Sequence, residues 1–376
     1  MDASFWIGRK VFITGHTGFK GSWLALWLQQ LGASVVGFAL DPPTAPSLFA
    51  AARVADGMID LRGDVRDLGL LRSAIAAHQP EIVFHLAAQP LVRQSYAQPV
   101  ETFAANVMGT AHLLEAVRQT KSVRAVVAVT SDKCYENKEW LWGYREEEPM
   151  GGHDPYSASK GCAELVAAAY RRSYFAATEC RAGIATARAG NVIGGGDWAL
   201  DRVLPDAVRA LAQGQPFVSR RPTSVRPWQH VLEPLRGYVT LAERLHSEPR
   251  EYGEAWNFGP RDEDAVPVAE LLDRFVGHWG SGSWHAEPTL NGPHEAKLLR
   301  LDSAKAHHRL GWHLALELDE AIELTADWYR RAGNGARSID VRELTCQQIQ
   351  HYEMKAGTRP ADRIRPPSTE RERQAA

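Results

Sequence analysis

The sequence predicts an α/β fold, a doubly wound parallel sheet with a smaller C-terminal substrate-binding lobe. Three observations carry it: short apolar runs alternate with helical periodicity through residues 1–190, glycines follow directly after the first run, and the rhythm changes beyond Asn191. Taken in order, Lys10-Val-Phe-Ile-Thr14 reads as a buried strand. Trp23, Leu24, Trp27, Leu28 and Leu31 then recur at helical spacing until Gly32 stops the helix. Ser34-Val-Val-Gly-Phe-Ala-Leu40 is a second strand, ended by Asp41-Pro-Pro43. Later strands are expected at 58–61, 81–86, 123–129 and 183–187, with helices over 67–78, 98–120 and 156–177. Past Asn191, glycine, proline and tryptophan cluster in Gly194-Gly-Gly-Asp-Trp198 and Arg226-Pro-Trp-Gln-His230, with shorter strands among helices. Residues 358–376 are charged and proline-bearing with almost no large apolar side chain, and are expected to form a disordered tail.

Composition narrows the function classes. At about 150 residues per domain, 376 residues make two to three units or one elaborated α/β unit. A net charge of -2 offers no basic field for a nucleic-acid backbone, so no nucleic-acid partner is expected. The cysteines, Cys134, Cys162, Cys180 and Cys346, show no C-x-x-C spacing and no disulfide framework, which fits a reducing cytoplasm. The first ten residues lack a signal-peptide pattern, and no apolar stretch approaches the ~20 residues that span a bilayer, so no membrane association is expected. His78, His230, His278, His294, His307, His308 and His313 stand at no spacing that closes a tetrahedral site, and no metal is expected.

Thr14-Gly-His-Thr-Gly-Phe-Lys-Gly21 places glycines at 15, 18 and 21 between strand and helix. Gly15 allows a tight exit from the strand, Gly18 lets backbone approach a pyrophosphate, and Gly21 allows close packing of helix on sheet. The helix N-terminus supplies unpaired N–H groups to the anion. Strand before and helix after favour this dinucleotide-binding, Rossmann-type reading over a plain turn. Asp41, 20 residues past Gly21, is the natural acceptor for a ribose hydroxyl, although it also suits a cap on the Pro-Pro turn. A 2′-phosphate would want an arginine, and none stands before Arg53 after the second strand, so NAD is favoured over NADP. Residues 1–190 and 230–262 are therefore expected to form the NAD-binding domain, and 191–229 with 263–357 the substrate lobe.

Tyr156-Ser-Ala-Ser-Lys160 puts a phenol and an ammonium one helical turn apart. The lysine charge is expected to stabilise a tyrosinate and draw the phenol from about 10 towards the general-base range. Alone, such a pair is common on solvated helices. Upstream, however, Val127-Ala-Val-Thr-Ser-Asp-Lys-Cys-Tyr135 delivers polar side chains at the carboxyl end of a strand, where α/β sheets place their chemistry. Ser131 is positioned to share a substrate hydroxyl with Tyr156.

With these segments in hand, the chain resembles the extended short-chain dehydrogenases/reductases that act on nucleotide sugars, over roughly residues 5 to 330. Further matching segments are Gly63-Asp-Val-Arg-Asp67, His85-Leu-Ala-Ala-Gln89, Asn106-Val-Met-Gly-Thr110, Arg188-Ala-Gly-Asn191, Arg226-Pro-Trp-Gln-His-Val231, Leu301-Asp-Ser-Ala-Lys305 and Leu310-Gly-Trp312. The resemblance implies that NAD is held by Gly15, Thr17, Gly18, Phe19, Lys20, Gly21, Asp41, Asp64 and Val65. Leu86, Ala87, Ala88, Gln89, Asn106, Tyr156 and Lys160 complete that set. It implies a nucleotide sugar held by Gln89, Arg93, Ser131, Asn191, Leu204, Arg226 and His294, with Asn191 and Arg226 on the diphosphate, a task that suits a planar guanidinium. A homodimer or homotetramer is implied, through helices at 98–120 and 156–177 whose apolar stripes would otherwise face the sheet.

Within that family, Thr130-Ser-Asp-Lys-Cys-Tyr135, Asn137-Lys-Glu-Trp-Leu-Trp-Gly143, Gly194-Gly-Gly-Asp-Trp198 and Arg226-Pro-Trp-Gln-His-Val-Leu-Glu233 resemble the 4,6-dehydratases of CDP-glucose. The implied reaction removes water to give a 4-keto-6-deoxy sugar, a step in deoxysugar synthesis for surface polysaccharide such as lipopolysaccharide. Tyr156, ionised with help from Lys160, takes the C4 hydroxyl proton. Asp132, kept protonated by burial, is the acid for the C6 hydroxyl. Lys133 stands where many relatives carry glutamate; neutral, it is the C5 base, and charged, it is an ion-pair partner of Asp132. The alternatives are a nucleotide-sugar 4-epimerase, or a dehydratase for a dTDP-, GDP- or UDP-hexose. A non-catalytic NAD sensor would not need Ser131, Asp132, Tyr156 and Lys160 together.

Overall fold

Alternate residues of the first strand point to opposite faces, and both faces are covered. In the computed structural model, described for residues 1–176, 182–287, 298–333 and 339–357, Val11 and Ile13 of β1 (Lys10–Thr14) join one apolar cluster. Phe12 joins another on the far side of the sheet. Burial on both faces explains why this strand reads as a continuous apolar run. The same holds for β2 (Ser34–Ala39), β4 (Ile82–His85), β5 (Ala125–Val129) and β6 (Gly183–Ala189). With β3 (Ile59–Arg62) and a later strand they form a seven-stranded sheet.

The remaining strands are β7 (Asn191–Ile193), β8 (Phe217–Ser219), β9 (Val225–His230), β10 (Ala255–Phe258), β11 (Ala265–Pro267) and β12 (Trp284–Ala286). The large sheet runs β10-β6-β5-β4-β1-β2-β3 and is parallel throughout. Its order reverses between β1 and β4, and the crevice at their carboxyl ends is where such sheets bind ligands. Two small sheets, β11-β9-β7 and β12-β8, stand apart from it.

The expected helices form at 19–30, 68–78 and 155–170. The helix expected over 98–120 is built from Pro99–Phe103, a wider π turn at Ala104–Met108 and Gly109–Arg118. Such turns often sit at functional sites. Two C-terminal helices, Leu318–Gly333 and Val341–Lys355, close the molecule. The last packs back onto helix 19–30, with Trp27 Nε1 donating to Glu353 Oε1 at 2.8 Å and Arg342 Nη2 to Gln29 Oε1 at 2.7 Å. The tail expected to be disordered, 358–376, lies outside the described residues. Among the described residues no helix is long and apolar enough to cross a membrane, and Cys134, Cys162 and Cys346 are free thiols.

Candidate active site

The glycine turn is shaped by contact. Gly15 has φ +76°, and a Cβ there would stand 2.6 Å from Ala87 N; one on Gly21 would stand 2.1 Å from the Gly15 carbonyl oxygen. Backbone thus meets backbone where β1, β4 and helix 19–30 converge. Gly18 is different: its Cβ would touch nothing closer than 3.4 Å, and as N-cap it offers the helix no side-chain acceptor. The first N–H groups of that helix therefore remain for an anion. The turn opens into a cavity of about 1470 Å³, larger than the about 300–1,000 Å³ of single-ligand pockets. These residues fit a dinucleotide, with room for a second nucleotide beside it.

The side chains expected to be catalytic line the same cavity. β5 ends at Val129, and Ser131 then caps a single tight turn, Asp132–Cys134, its oxygen accepting the Lys133 N–H at 3.2 Å. That turn faces Asp132 and Lys133 into the cavity. Asp154 caps helix 155–170, accepting from Ser157 N at 2.9 Å, and Pro155 occupies its first position. Tyr156 and Lys160 follow one turn apart. Gly161 lets the helix approach the Ser131 turn, since a Cβ there would stand 2.8 Å from Gly151 O and 3.1 Å from Cys134 O.

Hydrogen bonds link the group. The Ser131 hydroxyl donates to Asp132 Oδ1 at 2.9 Å, and the Ser131 side chain is close enough to the Tyr156 phenol to favour its ionised form. Lys160 Nζ donates to Val129 O at 3.3 Å. One turn further, the buried Glu164 carboxylate accepts from Thr130 Oγ1 at 2.5 Å, Thr186 Oγ1 at 2.7 Å and Arg188 Nη2 at 2.8 Å. It thereby locks the helix to β5 and β6. Burial favours its neutral form, but the Arg188 charge and these bonds keep it below the usual carboxylate range.

Burial lowers Lys160 to about 8, and Lys20, buried near Arg202, also to about 8. Tyr156 moves against expectation. Burial pushes its phenol up to about 12, opposed by Ser131 and by the Arg202 guanidinium. The helical spacing that suggested Lys160 as its activating cation says nothing about desolvation. Among the described residues no ion pair joins Asp132 to Lys133, and the Asp132 carboxylate is instead bound by Ser131.

Of the other expected site residues, Thr17, Phe19, Lys20, Val65, Leu86, Ala87, Ala88, Arg93, Asn191, Leu204 and Arg226 line the cavity. Asp64 lines it too, but its carboxylate is taken by Arg66 at 2.5 Å. Gln89 spends its amide on Leu91 O at 3.1 Å and Thr102 Oγ1 at 2.9 Å. Asn106 stands behind the wall, bonding Gln89 N at 2.8 Å and Ser159 Oγ at 2.8 Å, so it positions Gln89. His294 lies outside the described residues.

Asp41 lines the cavity with its side chain 91% exposed. Counting along the chain found no arginine near it, yet Arg62 Nε stands 3.5 Å from Asp41 Oδ1, because β3 lies beside β2 with Arg62 opposite Ala39. Asp60 holds that guanidinium at 2.9 Å, and Leu40 O accepts from it at 3.2 Å. The sequence reading also missed Arg202, bound to Asp197 at 2.7 Å, and Arg220, bound to Asp201 at 2.8 Å. Asp197 belongs to the glycine-tryptophan cluster already noted, the one signal that pointed there. Among the described residues no cluster of three or more metal-binding side chains occurs.

Residues 12–325 match the family profile described as GDP-mannose 4,6 dehydratase. The chain belongs to that family. Among curated relatives, the CDP-glucose 4,6-dehydratase of Salmonella typhimurium is 54% identical over 363 residues, covering 96% of this chain and all of that protein. Among solved structures, MoeE5 in complex with UDP-glucose and NAD is 26% identical at TM-score 0.70, covering 86% of this chain and 99% of the other. The NAD complex of dTDP-glucose 4,6-dehydratase from Bacillus anthracis shares the fold at TM-score 0.71 and 20% identity, covering 86% of this chain and 97% of that one.

Proposed function

We propose that this protein is an NAD-dependent CDP-glucose 4,6-dehydratase, converting CDP-glucose to CDP-4-keto-6-deoxyglucose with release of water. The observation that carries the reading is that Tyr156, Ser131, Asp132 and Lys133 line the same cavity as the glycine turn, with Ser131 bound to Asp132. The 54% identical relative of that name supports the cytidine nucleotide. NAD, held by the turn, by Asp41 and by the β4 exit, supplies the acceptor and later donor of hydride when bound.

The chain's own residues manage the protons and the orientation. Tyr156 receives the C4 hydroxyl proton, and the resulting ketone acidifies C5–H. Lys133 takes the C5 proton, Asp132 protonates the departing C6 hydroxyl, and Lys133 returns its proton to C5. Asn191, Arg226, Arg93 and Leu204 hold the sugar nucleotide, with cationic Lys20 and Arg202 favouring its diphosphate. The division into a dinucleotide domain, 1–190 and 230–262, and a lobe of 191–229 and 263–357 belongs to this proposal. It is supported by the segregation of β7–β9, β11 and β12 from the large sheet. The free thiols fit work in the cytoplasm. Exposed Val100, Phe103, Met108 and Leu165 support a homodimer or homotetramer through helices 99–118 and 155–170.

Incubation with NAD⁺ and, separately, CDP-, dTDP-, GDP- and UDP-glucose, followed by mass, tests the reading. Loss of one water from CDP-glucose alone is expected. Water loss from another substrate overturns the nucleotide, and a C4 epimer of unchanged mass overturns the reaction.

A further inference from the structure

Water loss at C6 needs a proton on Asp132 when the hydroxyl departs, and oxidation at C4 releases one beside Tyr156. Ser131 lies between them. It donates to Asp132 Oδ1 at 2.9 Å, and its side chain is close enough to the Tyr156 phenol to favour the ionised form. The Lys133 N–H holds the same oxygen, and extended backbone at Ser131, φ -166° and ψ 159°, fixes where the hydroxyl sits. All three side chains belong to residues less than a tenth exposed. We propose that Ser131 carries the C4 hydroxyl proton from Tyr156 to Asp132, so that oxidation of the sugar arms the acid that expels water; this rests on the dehydratase reading above.

The protons balance within the site. As the C4 O–H bond breaks, a Tyr156 O–H bond forms and the proton Tyr156 already held moves to Ser131 Oγ. The Ser131 proton moves in turn to Asp132 Oδ1. When C5 yields its proton to Lys133 and the C6–O bond breaks, the Asp132 proton joins the departing oxygen as water. Lys133 then reprotonates C5. The hydride that leaves C4 and the one that reaches C6 are the part of the nicotinamide cofactor. Tyr156 and Asp132 finish as phenol and carboxylate, as they began.

This arrangement removes a conflict in the mechanism read from sequence, which asks for a tyrosinate and a protonated carboxylic acid in one resting site. With burial pushing Tyr156 up to about 12, the resting side chain is a phenol. The Asp132 oxygen already accepts the Ser131 proton.

The test compares wild type, Ser131→Ala, Ser131→Thr and Asp132→Asn between about pH 6 and 8. Water loss is read by mass, and borodeuteride quenching traps any C4-oxidised hexose that keeps its C6 hydroxyl. For Ser131→Ala, Asp132 must take its proton from solvent, so that hexose accumulates and water loss falls about tenfold per pH unit. Wild type and Ser131→Thr stay level with pH, and Asp132→Asn accumulates the oxidised hexose at every pH. A Ser131→Ala profile parallel to wild type overturns the relay, as does a Ser131→Thr profile as steep as Ser131→Ala. Turnover by Asp132→Asn without accumulation also overturns it. Wild type that removes no water from CDP-glucose overturns the dehydratase reading instead.

Discussion

A methyl group on Gly21 would stand 2.1 Å from the Gly15 carbonyl oxygen, closer than any packed carbon stands. Gly21→Ala must therefore push helix 19–30 off the turn, and NAD affinity is expected to fall at least about tenfold, or 1.4 kcal/mol. Titration of the apoprotein with NAD⁺ checks this, with circular dichroism confirming that the fold persists. Lys133→Met is expected to lose solvent deuterium uptake at C5 by about 100-fold or more; uptake at the wild-type rate removes Lys133 as the base. Tyr156, Lys160, Ser131 and Asp132 were legible in the sequence because each pair lies within one element, where spacing fixes the face. Arg62 and Arg202 were not: one reaches Asp41 across neighbouring strands, and the other acts on Tyr156 from a loop 46 residues later in the chain. Desolvation of Tyr156 was illegible for a related reason, since burial belongs to the surroundings and not to the motif.

Among the bonds that hold helix 155–170 is one buried ion pair, Arg188–Glu164, each side chain 4% exposed. Glu164→Gln leaves the guanidinium without its counter-charge, and a loss of about 3–5 kcal/mol is expected in denaturant melts. A loss below about 1 kcal/mol would mean that Tyr135 and the Glu146 carbonyl, which accept from Arg188 Nη1 at 2.7 Å and 3.0 Å, suffice without it. At this scale the large sheet was legible, because strands buried on both faces leave unbroken apolar runs and the helices between them keep their period. The small strands β7, β8, β11 and β12 have three residues each, too few to show a period. The π turn at Ala104–Met108 was equally silent in sequence, yet it lies where Asn106 reaches both Gln89 and Ser159.

Over the whole molecule, the N-terminus is tied down by Glu243, whose carboxylate accepts from Trp6 Nε1 at 2.7 Å and from Asp2 N at 3.1 Å. Burial raises that carboxyl to about 7. Because the folded value lies above the unfolded one, its contribution is complete below about pH 4.5 and is lost as pH rises through about 7. Glu243→Gln keeps an acceptor without the charge, so its Tm relative to wild type is expected to rise between pH 5 and 8; a constant difference in calorimetry contradicts this. In light scattering, wild type is expected at two or four times 41.6 kDa, and Leu165→Asp at a smaller mass; a monomeric wild type removes the proposed interface. The docking of helix 341–355 on helix 19–30 also has a consequence for synthesis. Trp27, on helix 19–30, has its indole N–H partner in the last turn of helix 341–355, Glu353. A ribosome adding about 5–20 residues per second leaves that helix without its cover until residue 355 has cleared the exit tunnel. Chains stalled short of that point would present Trp27 to chaperones and proteases, so the half proposed to bind the cofactor is finished last even though it is translated first.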